Sequence, residues 1–201
     1  MKYIITEKQY RLLSEQEEEE ILTIPYDHFQ DWDMLQVFLK RRNNPPYKIS
    51  GDLDLDESSI ESLGNLESVD GDLDLDKSSI ESLGNLESVS GNLYLRRTPI
   101  KSLGNLKSVG GDLHLDWTPI KSLGNLKSVG GGLFLKRASI KSLGNLESVG
   151  GHLYLPDSSV ESLGNLKSVG GPLYLLKTPI SKKYTEEEIR SMVNIGAEVY
   201  L

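Results

Sequence analysis

The sequence predicts a mainly β repeat solenoid, with a parallel sheet on one face and a small helical cap at each end. Three observations carry this. Six consecutive 20-residue copies run from Ser50 to Val169, and an 11-residue half copy follows from Gly170 to Ile180. Ten of the twenty positions are identical in all six copies: Gly51, Leu53, Leu55, Ser62, Leu63, Gly64, Asn65, Leu66, Ser68, Val69 and their equivalents. Within each copy the apolar spacing changes, from two residues (Leu113, Leu115) to three (Ile120, Leu123, Leu126, Val129). A spacing of two is the period of a strand with one buried face. A spacing of three is that of polyproline II or a short 3₁₀ segment. Twenty residues then leave no room for a helix on the return side.

The elements follow in order. Residues 1–49 form an N-terminal helical cap. In it Thr6 and Gln9 make a capping box for a helix through Glu20. Asp31 caps a second helix over 32–42, with Met34, Leu35, Phe38 and Leu39 as its apolar stripe, and Asn43-Asn44-Pro45-Pro46 ends it. Residues 50–180 are the solenoid, and 181–201 are the C-terminal cap. There Thr185 and Glu188 box a helix to about Val193, and a strand follows over 197–201. A single coil cannot bury its aliphatics alone, so coils must stack and the open ends need covering.

The stretch LHLDWTPIKSL fits L-x-L-x-x-N-x-L-x-x-L with Thr118 at the Asn position, and SLGNLKSVGG punctuates the coils with glycine. Residues 50–180 therefore resemble the short bacterial leucine-rich repeats and the repeats of receptor L-type domains. That resemblance implies a non-catalytic protein-recognition module that uses the strand face. Two departures qualify it. The Asn position holds Ser58, Ser78, Thr98, Ala138, Ser158 and Thr178 elsewhere, and Gly-Gly inserts a residue before the strand. A closed right-handed β-helix thus stands beside an open horseshoe. The recurrent asparagines, Asn65 through Asn165, are expected to form a side-chain ladder at the second corner, and Ser or Thr at the usual Asn position to cap turn amides. The opening MKYIITEKQY resembles the start of small bacteriophage proteins.

The net charge of −8 is unevenly distributed: −2 over 1–49, −11 over 50–89, +6 over 90–149 and −1 over 150–201. Cysteine is absent, no signal-peptide core opens the chain and no apolar run reaches membrane-spanning length. The expectation is a soluble, cytoplasmic monomer without cofactor or resident metal. His28, His114 and His152 are far apart, and no catalytic motif is present, so an enzyme is not expected. Ser62 and Ser68 recur in every coil as scaffold residues do.

The variable strand positions are where function is expected. Stacked about 4.8 Å apart, Tyr94, His114, Phe134, Tyr154 and Tyr174 form an aromatic stripe after Asp54 and Asp74. Beside it run Arg96, Asp116 and Lys136, then Arg97, Trp117 and Arg137, a composition typical of binding hot spots. The first two coils add an acidic patch, Asp52, Asp54, Asp56, Asp72, Asp74 and Asp76, whose mutual repulsion calls for an offset. The leading expectation is capture of a protein partner on this face. The alternatives are an acidic DNA mimic that inhibits a nucleic-acid-binding protein, and a carbohydrate-binding solenoid. Direct nucleic-acid binding is disfavoured because Asp112, Asp116 and Glu147 interrupt the basic zone. The return-side pairs, from Glu61/Glu67 to Glu161/Lys167, are expected to be solubility positions whose sign change lets neighbouring rows attract.

Overall fold

A computed structural model describes residues 21–25 and 32–201. The expected first helix, the Asp31 cap and the phage-like opening lie outside the described residues. The chain folds as a mainly β, parallel-sheet solenoid of the β-helix type with small flanking helices.

Each coil contributes a strand to two parallel sheets. The ring sheet collects Leu53–Asp54, Leu73–Asp74 and their equivalents to Leu173–Tyr174, paired at a step of twenty residues. The valine sheet collects Leu66–Val69, Ser88–Val89 and so on to Ser168–Val169. The return run between them is also bonded, coils two by two: the amides of Glu81, Lys121 and Glu161 donate to the carbonyls of Glu61, Lys101 and Lys141, at 2.8–2.9 Å. All three sides therefore rise together, which closes the coil into a β-helix; an open horseshoe would splay its return side. The core is the stacked interior, where every Leu, Ile and Val of the repeat from Leu73 to Leu175 is no more than 5% exposed.

Two corners make this possible. At the second corner Gly64, Gly84, Gly104, Gly124, Gly144 and Gly164 have φ of 57–62°, a region open to glycine at little cost. In each coil the serine two residues earlier accepts from the glycine amide at 3.0–3.2 Å. This serine turn replaces the expected asparagine ladder, which exists only in fragments. Asn65 Nδ2 donates to Asn44 O, Asn85 Nδ2 to Asn65 Oδ1 and Asn145 Nδ2 to Gly124 O. Main-chain bonds across this corner join coils two by two, through Asn85, Asn125 and Asn165.

The first corner also corrects an expectation. Ser78, Thr98, Thr118 and Thr178 are buried, and each hydroxyl donates to the leucine carbonyl three residues back, at 2.6–2.8 Å; only that of Thr178 also accepts from an amide, that of Ser181 at 3.2 Å. Ala138 occupies this site without a hydroxyl. Ala138→Thr should therefore raise stability by about 1 kcal/mol, read as a higher urea midpoint at unchanged slope.

The caps continue the coils. The strand Leu22–Pro25 extends the valine sheet by pairing with Tyr47–Ser50, and helix α1 (Trp32–Lys40) buries Trp32, Leu35 and Leu39. The expected stripe is thus rotated: Met34 is exposed and Trp32 takes its place. At the other end the Thr185–Glu188 capping box opens helix α2 (Glu186–Met192). After it Asn194–Ile195 and Val199–Tyr200 add one more strand to each sheet, so the C-terminal segment is a last partial coil. Among the described residues no helix is long and apolar enough to cross a membrane.

Candidate recognition face

The outward side of the ring sheet carries four parallel columns, because alternate strand residues point away from the core. The ring column runs Asp54, Asp74, Tyr94, His114, Phe134, Tyr154, Tyr174 and continues onto Tyr200 of the last coil. Sequence periodicity missed Tyr200, because helix α2 shifts the repeat step. The rings stack along the solenoid axis. Tyr94–His114 centroids are 5.0 Å apart at 13°, His114–Phe134 4.5 Å at 3°, and Tyr174–Tyr200 4.7 Å at 6°. Phe134, Tyr154 and Tyr174 are tilted but still in contact. Ring faces therefore meet one another in Tyr94–His114–Phe134 and in Tyr174–Tyr200.

The acidic patch is largely tied to the main chain. Asp52 Oδ1 accepts from the Asp72 amide and Asp72 Oδ1 from the Asn92 amide, a ladder that Asn92 passes to Asp112 and Asp112 to Gly132, at 2.6–2.8 Å. Asp54 and Asp74 accept from the amides two residues on. Asp76 accepts from the Arg96 amide and pairs with its guanidinium, the offset that the repulsion called for. Burial raises the Asp74 carboxyl pKa, and repulsion from Asp76, Asp54 and Asp56 adds to it. Among the described residues no group of three or more histidines and carboxylates is placed to hold a metal ion.

Further along, Asp116 Oδ1 accepts from the Lys136 amide at 2.8 Å, and burial raises its pKa. The corner column, Glu57, Lys77, Arg97, Trp117, Arg137, Asp157 and Lys177, is unusual: all seven have φ of 51–63°, the left-handed region that favours glycine or asparagine. That conformation turns each side chain outward. Trp117 is 46% exposed, and the Arg137 guanidinium lies 4.2 Å from its ring centroid. A groove of about 630 Å³ runs between ring and corner columns, lined among others by Asp76, Arg96, Asp116, Trp117, Phe134 and Tyr154. The structure thus brings Arg96, Arg97, Asp116, Trp117, Phe134, Lys136 and Tyr154 of the predicted residues to one groove, and leaves Tyr94, His114, Arg137 and Tyr174 outside its lining. On the return side the expected attraction between rows is present, in Lys107–Glu87, Lys141–Glu161 and Glu147 between Lys127 and Lys167.

His114 gives the face a pH response. Burial lowers its pKa, as does Arg96, while Asp116, Asp112 and Asp76 oppose the shift. The unfolded chain therefore binds the proton first, and stability present above about pH 6.5 is lost as pH falls through that value toward the lower folded pKa. His114→Phe keeps the stack and removes this loss. From pH 7.5 to 5.5, the melting temperature of the native chain should fall further than that of the variant.

No family model, curated protein or solved structure matches the chain.

Proposed function

We propose that this chain is a non-catalytic recognition module, cytoplasmic and monomeric, that holds a protein partner on the outward side of its ring sheet. The observation that carries the reading is the corner column. A non-glycine residue at positive φ costs about 1 kcal/mol, and glycine or asparagine would avoid most of it. Six of the seven coils nonetheless keep long side chains there, Asp157 being the short one, and the central ones are Arg97, Trp117 and Arg137. The exposed pairs within the column, Lys77–Glu57, Lys177–Asp157 and Arg137 over Trp117, offset only part of that cost, whereas an exposed tryptophan between arginines is what a partner-binding surface needs. The resemblance to short leucine-rich repeats supports the same use of the variable strand face, and extends no further than that.

The alternatives are less well supported. A DNA mimic needs free carboxylates, and five of the six patch aspartates accept main-chain amides. A sugar needs an open ring face, and in Tyr94–His114–Phe134 and Tyr174–Tyr200 the facing sides cover one another.

The test is the double variant Trp117→Gly with Arg137→Gly, used beside the native chain in affinity capture from its host. The expected result is loss of the captured partner with a melting temperature at least as high as before. Retained capture counts against the reading.

A further inference from the structure

The recognition face is divided into three electrostatic zones in a fixed order. In coils 1 and 2 its columns hold six aspartates and Glu57, opposed by Lys77 alone. In coils 3–5 they hold Arg96, Arg97, Lys136 and Arg137 around Trp117, opposed by Asp112 and Asp116, both already engaged by main-chain amides. In coils 6 and 7 the strand columns carry no carboxylate, lysine or arginine. They hold His152, Tyr154, Pro156, Pro172, Tyr174 and an exposed Leu176, and the corner charges Asp157 and Lys177 lie 3.9 Å apart. Acidic, basic and apolar ground therefore succeed one another along one line.

The groove has the shape of a track. It reaches from Asp56 of the first coil to Tyr154 of the sixth, about 24 Å at the coil spacing of about 4.8 Å. The groove follows the stacking axis, and its lining passes from Asp56 and Asp74 to Arg96 and Lys136 along that line. It suits a single extended chain, and at about 3.3 Å per residue the seven coils match roughly nine residues.

Resting on the recognition reading, we propose that the face takes an extended polypeptide segment whose side chains run basic, acidic, apolar from coil 1 to coil 7. Like charges over either of the first two zones repel, so the order fixes which end of the segment lies at which end of the solenoid. The occupant is a linear segment of a protein, recognised by its charge order and by an apolar end seated against Tyr154, Tyr174 and Leu176.

A displayed library of random 12-residue peptides, selected against the whole chain and against its Arg97→Glu/Arg137→Glu variant, tests this. The native chain should enrich peptides in which Asp or Glu separates a Lys/Arg block from an apolar block. The variant should bind those peptides at least about tenfold more weakly, and enrich peptides with basic residues at the middle positions. Enrichment without that order, or unchanged by the variant, overturns the charge order. No enrichment over a bare surface overturns the linear segment. Neither result touches the recognition reading, which stands or falls separately on capture by the Trp117→Gly/Arg137→Gly variant.

Discussion

Gly131→Ala should destabilise the solenoid by roughly 3 kcal/mol, although it adds one methyl group outside the hydrophobic core. A Cβ at Gly131 would stand 2.2 Å from Asp112 Oδ1, 2.8 Å from Gly111 C and 2.9 Å from Asp112 N. Neither neighbour can yield cheaply. Asp112 Oδ1 holds the Gly132 amide at 2.6 Å, and the Gly111 carbonyl accepts from the Gly131 amide at 2.9 Å. The aspartate ladder and the glycine column therefore require each other: the side chain that satisfies the next coil's amide passes where a Cβ would be. Gly144→Ala is the control. Its Cβ meets nothing within 4 Å, so only the positive φ of 59° counts, at about 1 kcal/mol. Urea unfolding of both variants should rank Gly131→Ala well below Gly144→Ala. Equal losses would mean that coil stacking is looser than the ladder requires.

The second large effect is Leu115→Ala, expected to cost about 2–5 kcal/mol. Leu115 has no exposed surface, and its coil is held by partners on both sides, His114 pairing with Tyr94 and Phe134. In a one-dimensional array a weak coil in the middle breaks two interfaces, whereas an end coil can fray alone. Leu55→Ala, at 6% exposure in the first coil, should cost less and should open hydrogen exchange mainly in that coil. A larger loss at Leu55 would show that the array is held from its N-terminal end.

The coil itself was legible in the sequence because its signals are local and repeated. The switch from a two-residue to a three-residue apolar period marks both corners, and identical positions fix the twenty-residue register. Thr185 and Glu188 announced the capping box for the same reason. What escaped was non-local. The last coil was hidden because helix α2 changes the step from 20 to 26 residues; Ser168-Val169-Gly170 and Leu173-Tyr174 then match Asn194-Ile195-Gly196 and Val199-Tyr200. The aspartates looked like a free acidic patch because their partners are amides one coil away. One signal could have shown the ladder: Asp52, Asp72, Asn92 and Asp112 all carry a short side-chain oxygen, and the column stops at Gly132. The left-handed corner gave no signal, since neither glycine nor asparagine stands at Glu57 or its equivalents.

That corner is where structure and function part company, and a measurement there is the most direct. A photo-crosslinking amino acid is placed at position 117, in the exposed corner of the ring sheet, and in a second preparation at position 127, on the return side. Both sites are exposed and neither lies in the core. With the host's captured partner bound, illumination should link it through position 117 and leave position 127 unreacted. A link through 127, or equal yields from both, would contradict recognition on the ring-sheet face.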